Sequence, residues 1–150
     1  MDMPMRIALP HEANAIRDVV RAAYAKCVPV IGREPRPMEA DYEAAVKVHR
    51  FDLIEADGRI VALIETEVRE SHLWIENIAV LPEWQGHGLG KRLLAHADGL
   101  AQAAGLSELR LLTNGKMAAN RALYLSVGYV EDREESYGDG TVVYFSKRLG

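Results

Sequence analysis

The stretch VLPEWQGHGLGKRLLAHA, Val80 to Ala97, constrains this chain more tightly than any other, because glycines stand at alternate positions 86, 88 and 90 between an apolar run and a leucine-rich one. A helix start leaves several backbone N–H groups without partners, and the helix dipole favours an anion there. Glycine removes the side chains that would hold a phosphate away, and it enters left-handed backbone angles without a steric cost. The same glycines also suit a bare strand-to-helix turn built only for close packing. GHGLGK departs from the GxGxxG spacing of dinucleotide sites. It departs from the nucleotide P-loop as well, with Gln85 where the first glycine belongs and Arg92 where a serine or threonine would follow the lysine. Both spacings argue against NAD and ATP.

The rest of the chain reads as short alternating elements. RIALP (Arg6 to Pro10) predicts a first strand, and Ile16, Val19, Val20, Ala23 and Cys27 recur at helical spacing. VPVIGREPRP, with prolines at 29, 35 and 37, is expected to break that helix. A second helix is expected from about Met38 to Val48, with Met38, Tyr42, Ala45 and Val46 inward. FDLIEADGRIVALIETEV predicts two strands joined by a tight turn at Asp57-Gly58, and HLWIENIAV a third. Leu89, Leu93, Ala97, Leu100, Ala101 and Ala104 then form a helical stripe that Gly105 can end. ELRLLT predicts a strand, MAANRALYLSV a helix closed by Gly128, and the remainder a hairpin around Gly138 to Gly140. This order suggests a mixed sheet flanked by helices.

With 49% hydrophobic and 27% charged residues, 150 residues suit one domain spanning 1–150. No basic flank followed by a long apolar block occurs, which argues against secretion and membrane insertion. Cys27 is the sole cysteine, so an internal disulfide is excluded, and neither a cysteine pair nor HExxH offers a metal site. A cytoplasmic location follows from that chemistry. The net charge of −4 gives no support to nucleic-acid binding.

NIAVLPEWQGHGLGKRLL resembles the acyl-CoA-binding motif of the GNAT N-acetyltransferase superfamily, in which a strand ending in aliphatic-Ala-Val and a proline precede Gln/Arg-x-x-Gly-x-Gly/Ala at a helix start. NRALYLSVGY (Asn120 to Tyr129) is similar to the family's later tyrosine-bearing helix. The resemblance implies an α+β fold of three layers: a mixed, mostly antiparallel sheet of about seven strands, flanked by four helices and splayed between the fourth and fifth strands. It further implies acetyl-CoA as co-substrate, with no metal, and transfer of the acetyl group to a primary amine by direct attack on the thioester.

Residue by residue, the resemblance implies that the loop and helix start from Gln85, Gly86 and Gly88 through Leu89, Gly90 and Lys91 hold the pyrophosphate on backbone amides. Ile78, Ala79 and Val80 would run beside the pantetheine arm, the Ile78 N–H facing the developing oxyanion. Tyr124 would protonate the departing thiolate, the alternative being a core tyrosine between Leu123 and Leu125. Asn120 would bond the cofactor arm, with Asn114 as a rival and turn formation as the alternative for both.

Glu76 sits within an otherwise apolar strand, where burial would raise its pKa and make it a base acting through water. An ordinary paired carboxylate is the other reading. Strict alternation groups it with Trp74, Ile78 and Val80, and a bulge of the kind the family often has would shift that parity. His87 reads as a solvated loop position, and His11, His49, His72 and His96 as surface or packing residues. Trp84 and Met117 read as packing residues.

The acceptor would be a small-molecule or peptide amine. Tyr24, Arg33, Glu34, Arg36 and Tyr137 lie in the segments expected to face it, and the acidic run Glu131, Asp132, Glu134, Glu135 either attracts a cationic amine or forms a solvated edge. A homodimer is an option the family allows. The competing reading is a non-catalytic acyl-CoA-binding or sensing module.

Overall fold

A computed structural model describes residues 3–150. The turn expected at Asp57-Gly58 joins β2 (Arg50–Ala56) to β3 (Arg59–Val68), with φ of 53° and 78° at the two positions. Two successive positive angles give the hairpin a twist that matches its strands. β1 (Met5–Ile7), β4 (Leu73–Val80), β5 (Glu108–Asn114), β6 (Val130–Tyr137) and β7 (Gly140–Arg148) complete a seven-stranded sheet in the order β1-β2-β3-β4-β5-β7-β6. The first strand ends at Ile7 rather than Pro10, because Pro10 opens a single 3-10 turn.

All neighbouring strands are antiparallel except β4 and β5. That parallel pair is in register only at Leu73↔Leu109 and Trp74↔Arg110, after which the strands part. The expected splay between the fourth and fifth strands is therefore present, and it leaves one edge of β4 open from Ile75 onward.

The helices are α1 (Ala13–Tyr24), α2 (Val28–Ile31), α3 (Arg36–Glu39), α4 (Tyr42–Val48), α5 (Leu89–Ala103) and α6 (Ala118–Ser126). Two are single turns: the four-helix expectation omits α2, and α3 is split from an expected helix. Val28–Ile31 is helical despite Pro29, since a proline in the first turn sacrifices no helix hydrogen bond, and Gly32 at φ 82° ends it. The helix expected from Met38 to Val48 is divided at Ala40, which is extended, and Asp41 caps α4 by accepting from the Ala44 N–H. Met38 and Tyr42 are buried as expected, while Ala45 and Val46 are half-buried. On α5, Ala104 falls outside the buried stripe and Leu94 belongs to it.

Cross-strand register sorts the sheet into two faces. Phe51, Glu65 and Asn77 share the face that meets α1 and α4, where the Tyr42 and Phe51 rings pack at 6.1 Å. Asp52, Ile64 and Ile78 share the other, where His96 of α5 lies 3.2 Å from Asp52. The register steps from Glu65↔Asn77 to Thr66↔Ile75, leaving Glu76 as a bulge residue. The bulge breaks the strict alternation: Trp74 lies on the Asn77 face, and Ile78 and Val80 lie on the opposite one.

Candidate active site

The three loop glycines have different reasons to be glycine. Gly86 and Gly88 adopt φ of 81° and 80°, and a Cβ on either would meet nothing within 4 Å. The backbone angle, rather than crowding, demands glycine there. Gly90 lies inside α5, and a Cβ on it would come 3.2 Å from Leu123 Cδ2 of α6. Close approach of the two helices accounts for that position.

The helix ladder of α5 begins with the Arg92 N–H donating to Gly88 O, and no side chain caps the start. The amides of Leu89, Gly90 and Lys91 thus precede the ladder and are available to an anion. Gln85 ties the loop to β4, its Nε2 donating to Val80 O at 2.9 Å while Lys26 Nζ donates to its Oε1 at 2.6 Å. His87 is exposed, with Nδ1 3.1 Å from Trp84 O.

On the splayed edge of β4, Ile78 O accepts from the Tyr24 hydroxyl at 2.9 Å, and Val80 O accepts from Gln85. Both carbonyls therefore point away from β3. The N–H and C=O of one residue in an antiparallel strand project to the same side, so the Ile78 and Val80 N–H groups face the gap as well. An open edge of this kind favours pairing with an extended amide-bearing chain.

Two cavities meet in this gap. The first, about 490 Å³, is lined by every residue assigned above to the cofactor, from Ile78 on β4 through the glycine loop and α5 to Asn120 and Tyr124 on α6. The second, about 460 Å³, extends under α1 to α4 and is lined by Glu76, Glu65, His49 and Asn77. Tyr24, Cys27, Ile78, Asn120 and Tyr124 line both. Trp84 and Met117, read from sequence as packing residues, also reach the cavity walls.

Tyr124 is buried at this junction, its ring 5.4 Å from Phe145 and 6.1 Å from Tyr129. Burial pushes its hydroxyl up to about 12, so it is protonated at neutral pH. Asn120 Nδ2 reaches Thr113 Oγ1 at 3.5 Å, a long contact that leaves its amide adaptable. Asn114 folds back on its own chain, accepting from the Lys116 N–H in a turn.

Glu76 does not occupy the buried position expected for it. At the bulge it is exposed and accepts from Trp74 Nε1 at 2.6 Å. The buried carboxylate of this wall is Glu65, only 3% exposed, with His49 Nδ1 at 2.6 Å. The sequence carried that signal in Val61–Glu65, where Glu65 follows an apolar run on the facing strand. Burial pushes the Glu65 carboxyl up, and the His49 hydrogen bond only partly opposes it. Burial lowers His49, but the Glu65 hydrogen bond and the charges of Glu65 and Glu67 outweigh this and raise it.

For both groups the folded value lies above the ordinary one, so their stabilisation is present at low pH and lost as pH rises through the shifted values. Melting temperature is expected to fall as pH rises above about 6.5, the ordinary histidine value, and His49→Gln to flatten that slope. Thermal denaturation of both proteins across that range checks this, and identical slopes would contradict it.

The acidic run on β6 does not reach either cavity. Glu131 pairs with Arg121, Glu135 with Arg133, and Asp132 accepts from Ser146, all at the surface. This is the solvated-edge alternative. Glu34 likewise pairs with Arg21, 2.9 Å away.

The model of the acetyltransferase (GNAT) domain family matches residues 47–131, more than half of the chain. The [ribosomal protein bS18]-alanine N-acetyltransferase of Salmonella typhimurium is 37% identical over 78 residues, covering 52% of this chain and 53% of that protein. The chain thus spans about half the length of this curated relative. An aminoglycoside N(6')-acetyltransferase type 1 of Stenotrophomonas maltophilia is 29% identical over 119 residues, covering 73% and 71%. The PaiA N-acetyltransferase of Thermoplasma acidophilum, solved in complex with coenzyme A, superposes with a TM-score of 0.83 at 16% identity over 99% of this chain and 100% of that one. That last likeness establishes the fold.

Proposed function

This chain belongs to the GNAT acetyltransferase family, and we propose that it is an acetyl-CoA-dependent N-acetyltransferase acting on a primary amine. The observation that carries the reading is the meeting of two cavities at Tyr124, one lined by the glycine loop and the open β4 edge, the other by carboxylates. The names of the relatives support amine acetylation, on an alanine of a ribosomal protein in one case and on an aminoglycoside in another.

The chain's own groups suit the co-substrate. Positive φ at Gly86 and Gly88 turns the loop so that the leading α5 amides are free of side chains, which suits a pyrophosphate. The Ile78 and Val80 edge suits an amide-bearing arm. Acetyl-CoA supplies the activated thioester. In the proposed reaction the amine nitrogen attacks the thioester carbon, the C–S bond breaks, and the sulfur takes its proton from the Tyr124 hydroxyl. The Ile78 N–H stabilises the developing oxyanion. The amine's proton leaves through water to Glu76, which reaches the acceptor cavity with its carboxylate oriented by Trp74. Glu65, held by His49, lines the same cavity and offers it a hydrogen-bond acceptor.

We place the catalyst in the cytoplasm as one acetyltransferase domain; among the described residues no helix is long and apolar enough to cross a membrane. Calorimetric titration with acetyl-CoA, alongside ATP and NADH, tests the cofactor assignment. Saturable binding of acetyl-CoA alone is expected, and binding of neither it nor a longer acyl-CoA would overturn the reading.

A further inference from the structure

Most arginines of this chain are held in ion pairs, as with Arg6, Arg21, Arg50, Arg59, Arg121 and Arg133. Among the described residues Arg33 and Arg36 have no carboxylate partner, and both line the acceptor cavity. Arg33 lies between α2 and α3, and its guanidinium carbon sits 5.6 Å from the Tyr137 ring centroid, bridging to the β6–β7 turn. An arginine stacked on an aromatic face keeps its planar fork of donors available for an oxyanion. Arg36 opens α3 and is exposed.

The carboxylates nearby do not neutralise these two groups. Glu34 is paired with Arg21, Glu65 with His49, and Glu76 with the Trp74 indole; Glu39 lines the cavity without an ion pair to either arginine. The cavity therefore has Glu65 and Glu76 on its β3–β4 wall, and on the wall made by the α2–α3 segment two guanidiniums that, among the described residues, have no ion-pair partner, set against the single carboxylate of Glu39. A diamine would oppose its second cation to Arg33 and Arg36, and a neutral amine would leave them with water alone. An amine bearing an anion satisfies both walls.

We propose that the acceptor is a small primary amine carrying a carboxylate or phosphate at the end away from the reacting nitrogen, with Arg33 and Arg36 as the residues that select it. A cavity of about 460 Å³ suits a small molecule of that kind. The inference rests on the N-acetyltransferase reading above and narrows its acceptor class.

The test compares acceptors of one chain length: an aminoalkanoate, its primary amide, the corresponding diamine and an aminoalkylphosphonate, each with acetyl-CoA and a thiol-release readout. For the preferred anionic acceptor kcat/KM is expected to exceed those of the amide and the diamine by at least about ten-fold. The carboxylate and phosphonate arms show which anion is taken. In the Arg33→Gln, Arg36→Gln double variant the ratio of anionic to amide acceptor should fall to about one, chiefly through a higher KM for the anionic acceptor. Efficient turnover of the diamine or amide at or above the anionic acceptors, or of a peptide N-terminus regardless of its charge, would overturn the acceptor class while leaving the N-acetyltransferase reading intact. Persistence of the preference in the double variant would overturn the role of the arginines. Failure of every amine would overturn both.

Discussion

Replacing Tyr124 with phenylalanine is expected to lower kcat by about 10²-fold to 10⁴-fold, the range associated with loss of a general acid, while acetyl-CoA binds with nearly unchanged affinity. The substitution keeps the ring that packs on Phe145 and Tyr129. Among the described residues the hydroxyl has no protein hydrogen-bond partner, so its removal strands no buried group and should cost less than about 1 kcal/mol of stability. Burial keeps this hydroxyl protonated across the neutral range, so the defect should be uniform between acidic and mildly basic pH. Steady-state kinetics paired with calorimetry separates the two effects. A variant that turned over normally would exclude the general-acid role, and one that lost binding in parallel would make Tyr124 a packing residue.

The second large effect is expected at Gly88. Valine there must adopt φ near 80°, a left-handed angle that costs an L residue roughly 1–2 kcal/mol and a β-branched one at least that much. Relaxing the strain rotates the loop away from the α5 amides, and the new side chain stands where a phosphate would approach. Acetyl-CoA affinity is expected to fall by at least about ten-fold, equivalent to about 1.4 kcal/mol. Gly99→Ala is the internal control, because Gly99 lies within α5 with an ordinary helical backbone and open space around its Cβ position. That change should leave affinity unaltered and raise stability by up to about 1 kcal/mol. Equal losses of affinity in the two variants would mean that the loop acts only through folding.

Much of this architecture was legible in the residues because local rules and tertiary packing agree. The Asp57-Gly58 turn, the Gly105 and Gly128 helix ends and the glycine loop each demand a backbone that few residues permit, and most strands follow from apolar runs bounded by turns, whereas β6, exposed along its whole length, follows only from its hairpin turn with β7. Where the reading failed, a local cap or a neighbour in space decided the outcome. The division of α3 from α4 follows from the Asp41 cap, which competes locally with continuing the helix. The exposure of Glu76 follows from a one-residue bulge whose position depends on how β4 registers against β3. Glu65 and His49 are far apart in the chain and become a pair only because α4 delivers His49 to the sheet face that Glu65 occupies. Arg33 and Arg36 were visible as candidates, but their lack of partners depended on where every other carboxylate went.

Acetyl transfer itself is measured most directly by a turnover assay with isotopically labelled acetyl-CoA and a panel of amines, read by mass spectrometry of the acceptor and by thiol release. Labelled acetyl is expected on the acceptor nitrogen, in equal amount to the thiol released, with the signal all but lost in Tyr124→Phe. Acetyl-CoA that binds saturably yet is never transferred to any amine would contradict the N-acetyltransferase reading and leave a binding or sensing module in its place.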